Sequence, residues 1–358
     1  MAIGYSGSSD LYTMAKRVHP LFAIVFTTVL YLAIGPLFAM PRTGTVSYEI
    51  GIKPLIGDMN NTLAMAIFTI IFFAITCFFA LRPGKIVDVV GKMLTPILLI
   101  FIALLIFAAV FNPLGNFTAP NDSYTEYAFF KGFQEGYLTM DTLASFVFGI
   151  IIINAVRSTG VRSKKEMMTS VTKAALIAAG LLALIYAGLA YLGASSVKEI
   201  GTFDNGGAIL AAVSHHYFGS YGSVVLGLTV IAACLTTSIG LVTACAAYFN
   251  TLAPRLSYKT YAIILSVFSA MVANVGLAKL IAISVPVLTA IYPLAICLIF
   301  LTFLHKAFKG LSEVYIYSLG LTFLVSLFDG FNAAGLKIEA VNNLFAYLPL
   351  HSVGLGWV

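Results

Sequence analysis

The stretch LAIGPLFAMPRTGTVSYEIGI, residues 32–52, decides the fold of this chain. Its first half is apolar, the tripeptide Pro41-Arg42-Thr43 predicts a turn, and the second half is amphipathic. Pro36, Pro41 and Arg42 are therefore expected to end an apolar helix at the outer end of a membrane span. Arg42 would then lie in an outer vestibule.

The composition places the chain in the membrane. Hydrophobic residues make up 60% of the 358 positions and charged residues only 9%, whereas soluble globular proteins carry about 25% charged residues. The mean hydropathy is +0.99. About 20 apolar residues cross a bilayer as a helix, and barrel strands would alternate in polarity, so an all-α membrane protein is predicted. Nine apolar segments fit such helices: residues 21–40, 63–81, 93–111, 137–156, 174–197, 221–252, 261–278, 280–304 and 314–328.

The net charge of +6 indicates a membrane topology and not a nucleic-acid partner. With the first span running outward, fourteen of the twenty Lys and Arg residues fall on the inner side. Cytoplasmic loops carry an excess of Lys and Arg. Residues 82–92 and 157–173 are therefore predicted to face the cytoplasm, while the long connections 112–136 and 196–220 are predicted to be outer loops.

The side chains that usually bind metals or perform catalysis are scattered along the chain. All four cysteines lie in apolar segments, where thiols behave as small hydrophobic groups: Cys77, Cys234, Cys245 and Cys297. There is no CxxC motif, and adjacent residues such as His215 and His216 rarely chelate one ion. No nucleophile elbow, phosphate-binding loop or workable carboxylate pair is present. The sequence therefore predicts neither an enzyme nor a metal centre.

One apolar segment contains an acid. In GYLTMDTLASFVFGIIIINAVRS, residues 136–158, Asp141 lies ten residues beyond Lys131. A continuous helix would place it about 15 Å deep, where an ionisable group is a functional candidate. A helix that unwinds at this depth exposes backbone groups that bind ions and zwitterions. Alternatively, the helix begins at Leu143, and Asp141 or Thr142 is an interfacial N-cap.

A second polar group lies in the sixth apolar segment. Residues 233–238, with the sequence ACLTTS, place three consecutive hydroxyls inside an uncharged stretch from residue 205 to residue 254. Hydroxyl oxygens are hard donors that suit Na⁺. The other interpretation is that these hydroxyls donate to backbone carbonyls four residues earlier, as they commonly do in membrane helices.

Tyr31 and two prolines complete the set of candidate features. Tyr31 lies near the middle of the first segment, whereas a tyrosine that anchors a helix at the membrane interface lies near its end, so both a functional role and an anchoring role stay open. Pro286 and Pro293 bracket the sequence VLTAIY. They predict a kink at each proline, which serves either as a gate or as a packing feature.

Three of these stretches together resemble one family, the bacterial branched-chain amino acid:cation symporters (LIVCS family). Residues 32–52 resemble its third helix and following loop, residues 136–158 its broken sixth helix, and ISVPVLTAIYP, residues 283–293, its tenth. The resemblance implies a LeuT-like inverted-repeat bundle of the APC superfamily. It also implies sodium-coupled import of Leu, Ile and Val across the cytoplasmic membrane.

The resemblance also implies roles for individual residues. Phe146 and Phe148 would form walls for an aliphatic side chain. Ala233 would offer its carbonyl to Na⁺, together with the hydroxyls of Thr236 and Thr237. The partners would be the substrate, Na⁺ as the coupling ion and the lipid bilayer, with no other cofactor. The implied substrate-binding residues are Tyr31, Thr139, Met140, Asp141, Thr142, Leu143, Ala144, Ser145, Phe146 and Phe148.

The chain departs from the family in its length. Such carriers have about twelve helices, and residues 1–358, which are expected to form a single transmembrane domain, align with the third through the eleventh. We therefore expect a partial carrier that lacks the first two helices and the last. Two other functions stay open: a proton-coupled or differently selective amino acid carrier, in which Asp141 titrates, and a truncated membrane protein that does not transport.

Overall fold

The computed structural model describes residues 2–6, 8, 10–57, 61–82, 85–158, 160, 161 and 163–358. Within these ranges the protein is helical and contains no β-strand. In chain order the α-helices are α1 Ala2–Ser6, α2 Leu11–Ala15, α3 Pro20–Leu32, α4 Ala39–Gly51, α5 Lys53–Ile56, α6 Asn61–Ala80, α7 Lys85–Phe111, α8 Ala128–Glu135, α9 Asp141–Ser158, α10 Lys164–Ile200, α11 Gly206–Leu252, α12 Tyr258–Ala273, α13 Leu277–Leu304, α14 Ser312–Ala333 and α15 Glu339–Phe345. A π-helical segment, Ala33–Leu37, joins α3 to α4, and short 3₁₀ segments cover Asp122–Tyr124, Gly136–Thr139 and His351–Val353.

Six helical stretches in the described ranges are long and apolar enough to cross a bilayer, and the first of them combines α3, the π-helical segment, α4 and α5. Two shorter apolar helices and one pair bent by 47° lie where the remaining three of the nine segments were predicted. The number of helices that cross the membrane stays a prediction. The six are Pro20–Ile56, Asn61–Ala80, Lys165–Ile200, Gly206–Leu252, Leu277–Leu304 and Ser312–Ala333; the shorter two are Thr95–Phe111 and Tyr258–Ala273; the bent pair is Asp141–Gly149 with Ile151–Ser158.

The predicted turn at Pro41-Arg42-Thr43 is wrong, because α4 runs through these residues. The chain breaks earlier, at Gly35, where φ is −86° and ψ is −124°. Pro36 explains the position of the break, since a proline disfavours the helical conformation of the residue before it. Pro41 is compatible with a helix because it lies in the first turn of α4, where backbone N–H groups have no intrahelical acceptor.

The predicted outer loop over residues 196–220 is also wrong for most of its length. α10 continues to Ile200, and α11 begins at Gly206, so His215 and His216 lie in a helix. The Asn205 side chain caps α11 by accepting a hydrogen bond from the Ala208 backbone N–H at 3.0 Å. A break at Gly219, with φ of 60° and ψ of −156°, separates this early part from the rest of α11.

The Cα positions group into two compact units. Unit 1 contains Met1–Tyr31, Pro120–Ala178 and Ile281–Val358, and unit 2 contains Leu32–Ala119 and Ala179–Leu280. In unit 1, Gln134 Nε2 donates to the carbonyl of Val353 at 2.7 Å, which ties α8 to the chain beyond α15. The prolines Pro286 and Pro293 lie inside α13, which stays helical across both of them.

In unit 2, α4 packs against α11 at a pair of glycines. A methyl group added at Gly227 would lie 2.8 Å from the Cα atom of Gly51, so the two backbones meet with no room for a side chain. Small residues allow such close approach between membrane helices, where packing and not the hydrophobic effect holds helices together. The Tyr258 hydroxyl also donates to the carbonyl of Ala80 at 2.8 Å, which connects α12 to the end of α6.

The topology is open to a labelling test. The two stretches predicted to be cytoplasmic include residues 83, 84, 159 and 162, which lie outside the described residues, but Ser163 is exposed, as is Thr118 in the connection after α7. We expect Ser163→Cys to resist a membrane-impermeant maleimide in intact cells and Thr118→Cys to react. The unsubstituted chain measures the background from its four cysteines. The reverse pattern would overturn the orientation.

Candidate functional site

The helix predicted over residues 137–156 is broken at Met140. A 3₁₀ segment, Gly136–Thr139, follows α8, and Met140 adopts the left-handed conformation with φ of 62° and ψ of 10°. α9 then begins at Asp141, and the first regular bond of this helix runs from the Ala144 N–H to the Met140 carbonyl at 2.9 Å. The non-helical part therefore lies just before Asp141.

This geometry corrects two expectations and leaves the residue roles untested. The broken helix that the resemblance implies over residues 136–158 departs from α-helix only before Asp141 in its first part, and the alternative helix start at Leu143 is two residues too late. The depth estimated for Asp141 assumed a continuous helix from Lys131, and the chain does not form one. The left-handed conformation costs free energy for residues other than glycine, so a break is usually predicted at Gly or Asn. A methionine at this position therefore gives no signal of the break in the sequence.

Some of the predicted site residues around the break are buried apolar side chains, and others carry exposed hydroxyls. Leu143 is fully buried, and Met140 and Phe146 are each 4% exposed. The hydroxyls of Thr139 and Ser145 are exposed and donate to the carbonyls of Gly136 at 2.8 Å and Thr142 at 2.7 Å. The remaining members are partly exposed: Asp141, Thr142, Ala144 and Phe148.

Two tyrosines that sequence reasoning did not assign to the site contact this break from within unit 1. Tyr137 and Tyr292 stack with ring centroids 4.7 Å apart and planes inclined by 14°, and both side chains are buried. The Tyr292 hydroxyl lies near the backbone of Thr142 and Leu143 and near the Asp141 carboxylate. The first turn of α9 carries the positive end of the helix dipole, which favours an anionic group such as a carboxylate.

Tyr31 lies in the last turn of α3, one residue before the helix ends, and is partly buried. It belongs to unit 1, as the break at Met140 does. Its role toward a substrate stays a prediction.

The predicted sodium ligands lie together in unit 2. The hydroxyls of Thr236 and Thr237 both donate to the carbonyl of Ala233 at 2.9 Å, so three oxygens meet on one side of α11. The Thr237 hydroxyl thus donates to the backbone carbonyl four residues earlier, which is the bond that the alternative interpretation predicts. Each hydroxyl still has lone pairs that can accept a hydrogen bond or bind a cation.

A cavity of about 250 Å³ lies within unit 1, next to the broken helix. It includes Asp329 and Trp357, neither of which the sequence analysis selected. The available signal was Asp329 itself: it directly follows the last predicted apolar segment, and α14 continues to Ala333, so this acid lies inside an otherwise apolar helix.

The comparisons with known proteins agree with one another. A family model described as "Branched-chain amino acid transport protein" matches residues 1–358. The branched-chain amino acid permease BrnQ of Bacillus subtilis is 56% identical over 358 residues, covering 100% of this chain and 81% of the relative. The permease BraB of the same organism is 51% identical, covering 100% and 80%. The branched-chain amino acid transport system 2 carrier protein of Pseudomonas aeruginosa is 42% identical, covering 94% and 76%. No solved structure matches the chain.

Proposed function

Because the chain belongs to the branched-chain amino acid transport protein family, we propose that it imports leucine, isoleucine and valine across the cell membrane together with Na⁺. Family membership makes it a transport protein rather than an enzyme, and its several apolar spans make it a multi-pass protein of the cell membrane. Import, sodium coupling and a LeuT-like arrangement are the parts that we propose.

The observation that carries the proposal is the break at Met140. Irregular backbone within a membrane protein is tolerated where it lines a cavity, and half-helix N-termini in transporters point at anionic substrate groups. The first turn of α9 would therefore bind the substrate carboxylate, with the Tyr292 hydroxyl beside it. The aliphatic tail would lie against apolar side chains of α9, with Phe146 and Phe148 as candidate walls on different faces of this helix. Tyr31, Thr139 and Ser145 would complete the polar part of the site.

The sodium ion would bind at the oxygens of Ala233, Thr236 and Thr237. Two features support this assignment: the three oxygens converge, and the hydroxyls keep lone pairs when they donate to the carbonyl. In a LeuT-like bundle, one helix bundle would rock against the rest around a fixed site, and the ion gradient would drive this cycle.

The proposal is tested with the chain reconstituted in liposomes that contain potassium salt. We expect labelled leucine to accumulate when Na⁺ is outside and to leak only slowly inward when choline replaces it. Excess isoleucine or valine should compete, and lysine should not. Leucine uptake that is indifferent to Na⁺ would contradict sodium coupling, and no saturable uptake under any gradient would contradict transport by this chain.

Removing one proposed sodium ligand should weaken the response to Na⁺. Thr237→Val is nearly isosteric and leaves no cavity, so we expect the Na⁺ concentration for half-maximal uptake to rise several-fold, in line with the roughly 1 kcal/mol of one polar interaction. Thr251→Val is the matched control, since the Thr251 hydroxyl makes the same kind of bond on the same helix, to the Ala247 carbonyl at 3.0 Å. If the Na⁺ concentration for half-maximal uptake is the same in the two variants, Thr237 does not bind Na⁺ and has only a packing role.

Proton coupling is the second candidate function, and the position of Asp141 favours it. This acid lies at the break, next to the Tyr292 hydroxyl, where a change in its protonation would alter the charge at the proposed carboxylate site. In the same liposomes, an inward pH gradient without Na⁺ should drive leucine accumulation if protons are the coupling ion. Accumulation driven only by Na⁺ would eliminate this candidate.

A further inference from the structure

The cavity of about 250 Å³ in unit 1 is formed by α8 and the 3₁₀ segment after it, by the middle of α13, by the end of α14 and by the chain beyond α15. Its lining mixes aromatic and aliphatic side chains with charged and amide groups, as is common for sites that bind small molecules. A leucine molecule is small enough for a space of this size.

Most polar groups around the cavity already have partners. Lys131 and Glu135 form an ion pair at 2.9 Å, so their charges offset each other. Gln134 donates to the Val353 carbonyl at 2.7 Å, and the Thr289 hydroxyl donates to the Val285 carbonyl at 2.9 Å. The amide groups of Asn332 and Asn342 bond each other at 2.8 and 3.2 Å. These groups shape the cavity and are not available to a ligand without losing a bond.

Asp329 differs from these residues. Over the described residues, its carboxylate makes no hydrogen bond or ion pair, and His351 is the neighbouring side chain that interacts with it electrostatically. Since Lys131 and Glu135 offset each other, Asp329 gives the lining a net charge of about −1. A partly buried carboxylate is stabilised by a cationic donor such as a primary ammonium group.

Several other lining residues are apolar. Tyr137, Leu138, Val285, Pro293 and Trp357 provide aromatic and aliphatic surface. The Trp357 indole lies near the Tyr137 hydroxyl, and the ring of this tyrosine stacks on Tyr292, beside the first turn of α9. Tyr137 therefore lines the cavity and also contacts Tyr292, which lies beside the first turn of α9.

We propose that this cavity is a second amino-acid site, in which Asp329 binds the ammonium group and the surface around Leu138 and Trp357 takes the aliphatic side chain. The identity of the ligand as a branched-chain amino acid rests on the proposed function. The site differs from the one at the first turn of α9 in the group that it recognises. It selects the positive end of the zwitterion, whereas the α9 site selects the negative end.

The chain contains a single tryptophan, Trp357, so its fluorescence reports on this cavity directly. We expect leucine to change the fluorescence of the purified full chain in a saturable way. The amine 3-methylbutylamine keeps the ammonium group and the branched tail, so it should produce the same change. The acid 4-methylpentanoate lacks the ammonium group and should not. This comparison uses the unaltered chain and does not depend on the folding of any variant.

A substitution of Asp329 provides a second test of the site. Asp329→Asn removes the charge at constant size and should weaken the fluorescence titration at least about tenfold, since hydrogen bonds to charged groups are stronger than neutral ones. Glu313→Gln, an exposed position in the first turn of the same helix, is the matched control and should leave the titration unchanged.

The outcomes separate this site from the transport function. A chain that accumulates leucine but shows no change in Trp357 fluorescence, or that responds to 4-methylpentanoate and not to the amine, overturns the second site and leaves the proposed function intact. A chain that shows the expected fluorescence series without leucine uptake supports the second site and contradicts transport. An Asp329→Asn titration equal to that of Glu313→Gln also overturns the site.

Discussion

A Gly227→Ala substitution should markedly destabilise the protein, although it adds only one methyl group. The added carbon would lie 2.8 Å from the Gly51 Cα atom and 3.3 Å from its carbonyl oxygen, and backbone atoms cannot rotate away as a side chain can. α4 and α11 would have to separate. We expect a cost of about 1–3 kcal/mol, typical of overpacking, and a lower melting temperature for the chain in detergent.

Gly180→Ala on α10 is the control for this substitution, because no atom lies within 4 Å of a methyl group built there. Alanine also favours helix by about 1 kcal/mol over glycine, so this variant should melt at the same temperature as the unaltered chain or slightly above it. Similar melting temperatures for the two variants would mean that the backbones of α4 and α11 do not meet at Gly51 and Gly227.

Met140→Ile should abolish most leucine uptake, while Met140→Asn should retain it. Isoleucine matches methionine in size and hydrophobicity, but a β-branched residue rarely adopts the left-handed conformation that Met140 has. Asparagine is polar and smaller, yet it tolerates this conformation well. The variants are measured in the sodium-driven liposome assay, with the amount of folded protein checked by gel filtration.

The two substitutions at Met140 separate backbone conformation from side-chain packing. Met140 is 4% exposed, so an effect through packing alone would damage the asparagine variant more than the isoleucine variant. Higher uptake by Met140→Ile than by Met140→Asn would therefore contradict a role for the left-handed break in substrate binding.

The helical class and the positions of the apolar segments could be predicted from composition, because hydrophobic runs of this length have few other structures available in a membrane. The ends of the helices could not. The sequence PRT reads as a turn, yet Pro41 lies within the first turn of α4, and the break occurs at Gly35. The early start of α11 depends on the cap by Asn205, a single side chain in a stretch that otherwise resembles a loop.

The candidate site could be predicted only where its residues are contiguous. The block around Asp141 was recognisable as an acid in an apolar segment, but Tyr292 reaches it from α13, about 150 positions away, and Asp329 and Trp357 meet only through folding. Such pairings depend on tertiary contacts, which the periodicity of hydrophobic residues within one helix does not predict. The break at Met140 also has no sequence signal, because methionine is not a residue that favours positive φ.

The claim that the first turn of α9 binds the substrate is tested most directly by protection of one cysteine from alkylation. The variant carries Thr142→Cys in a background with the four native cysteines replaced by alanine, and a second variant carries Ser163→Cys, which lies outside the proposed site. We expect leucine with Na⁺ to slow the reaction of a small thiol reagent at position 142, while lysine does not, and to leave position 163 unchanged. An unchanged reaction rate at position 142, at leucine concentrations that saturate uptake by the same protein, would contradict the placement of the site.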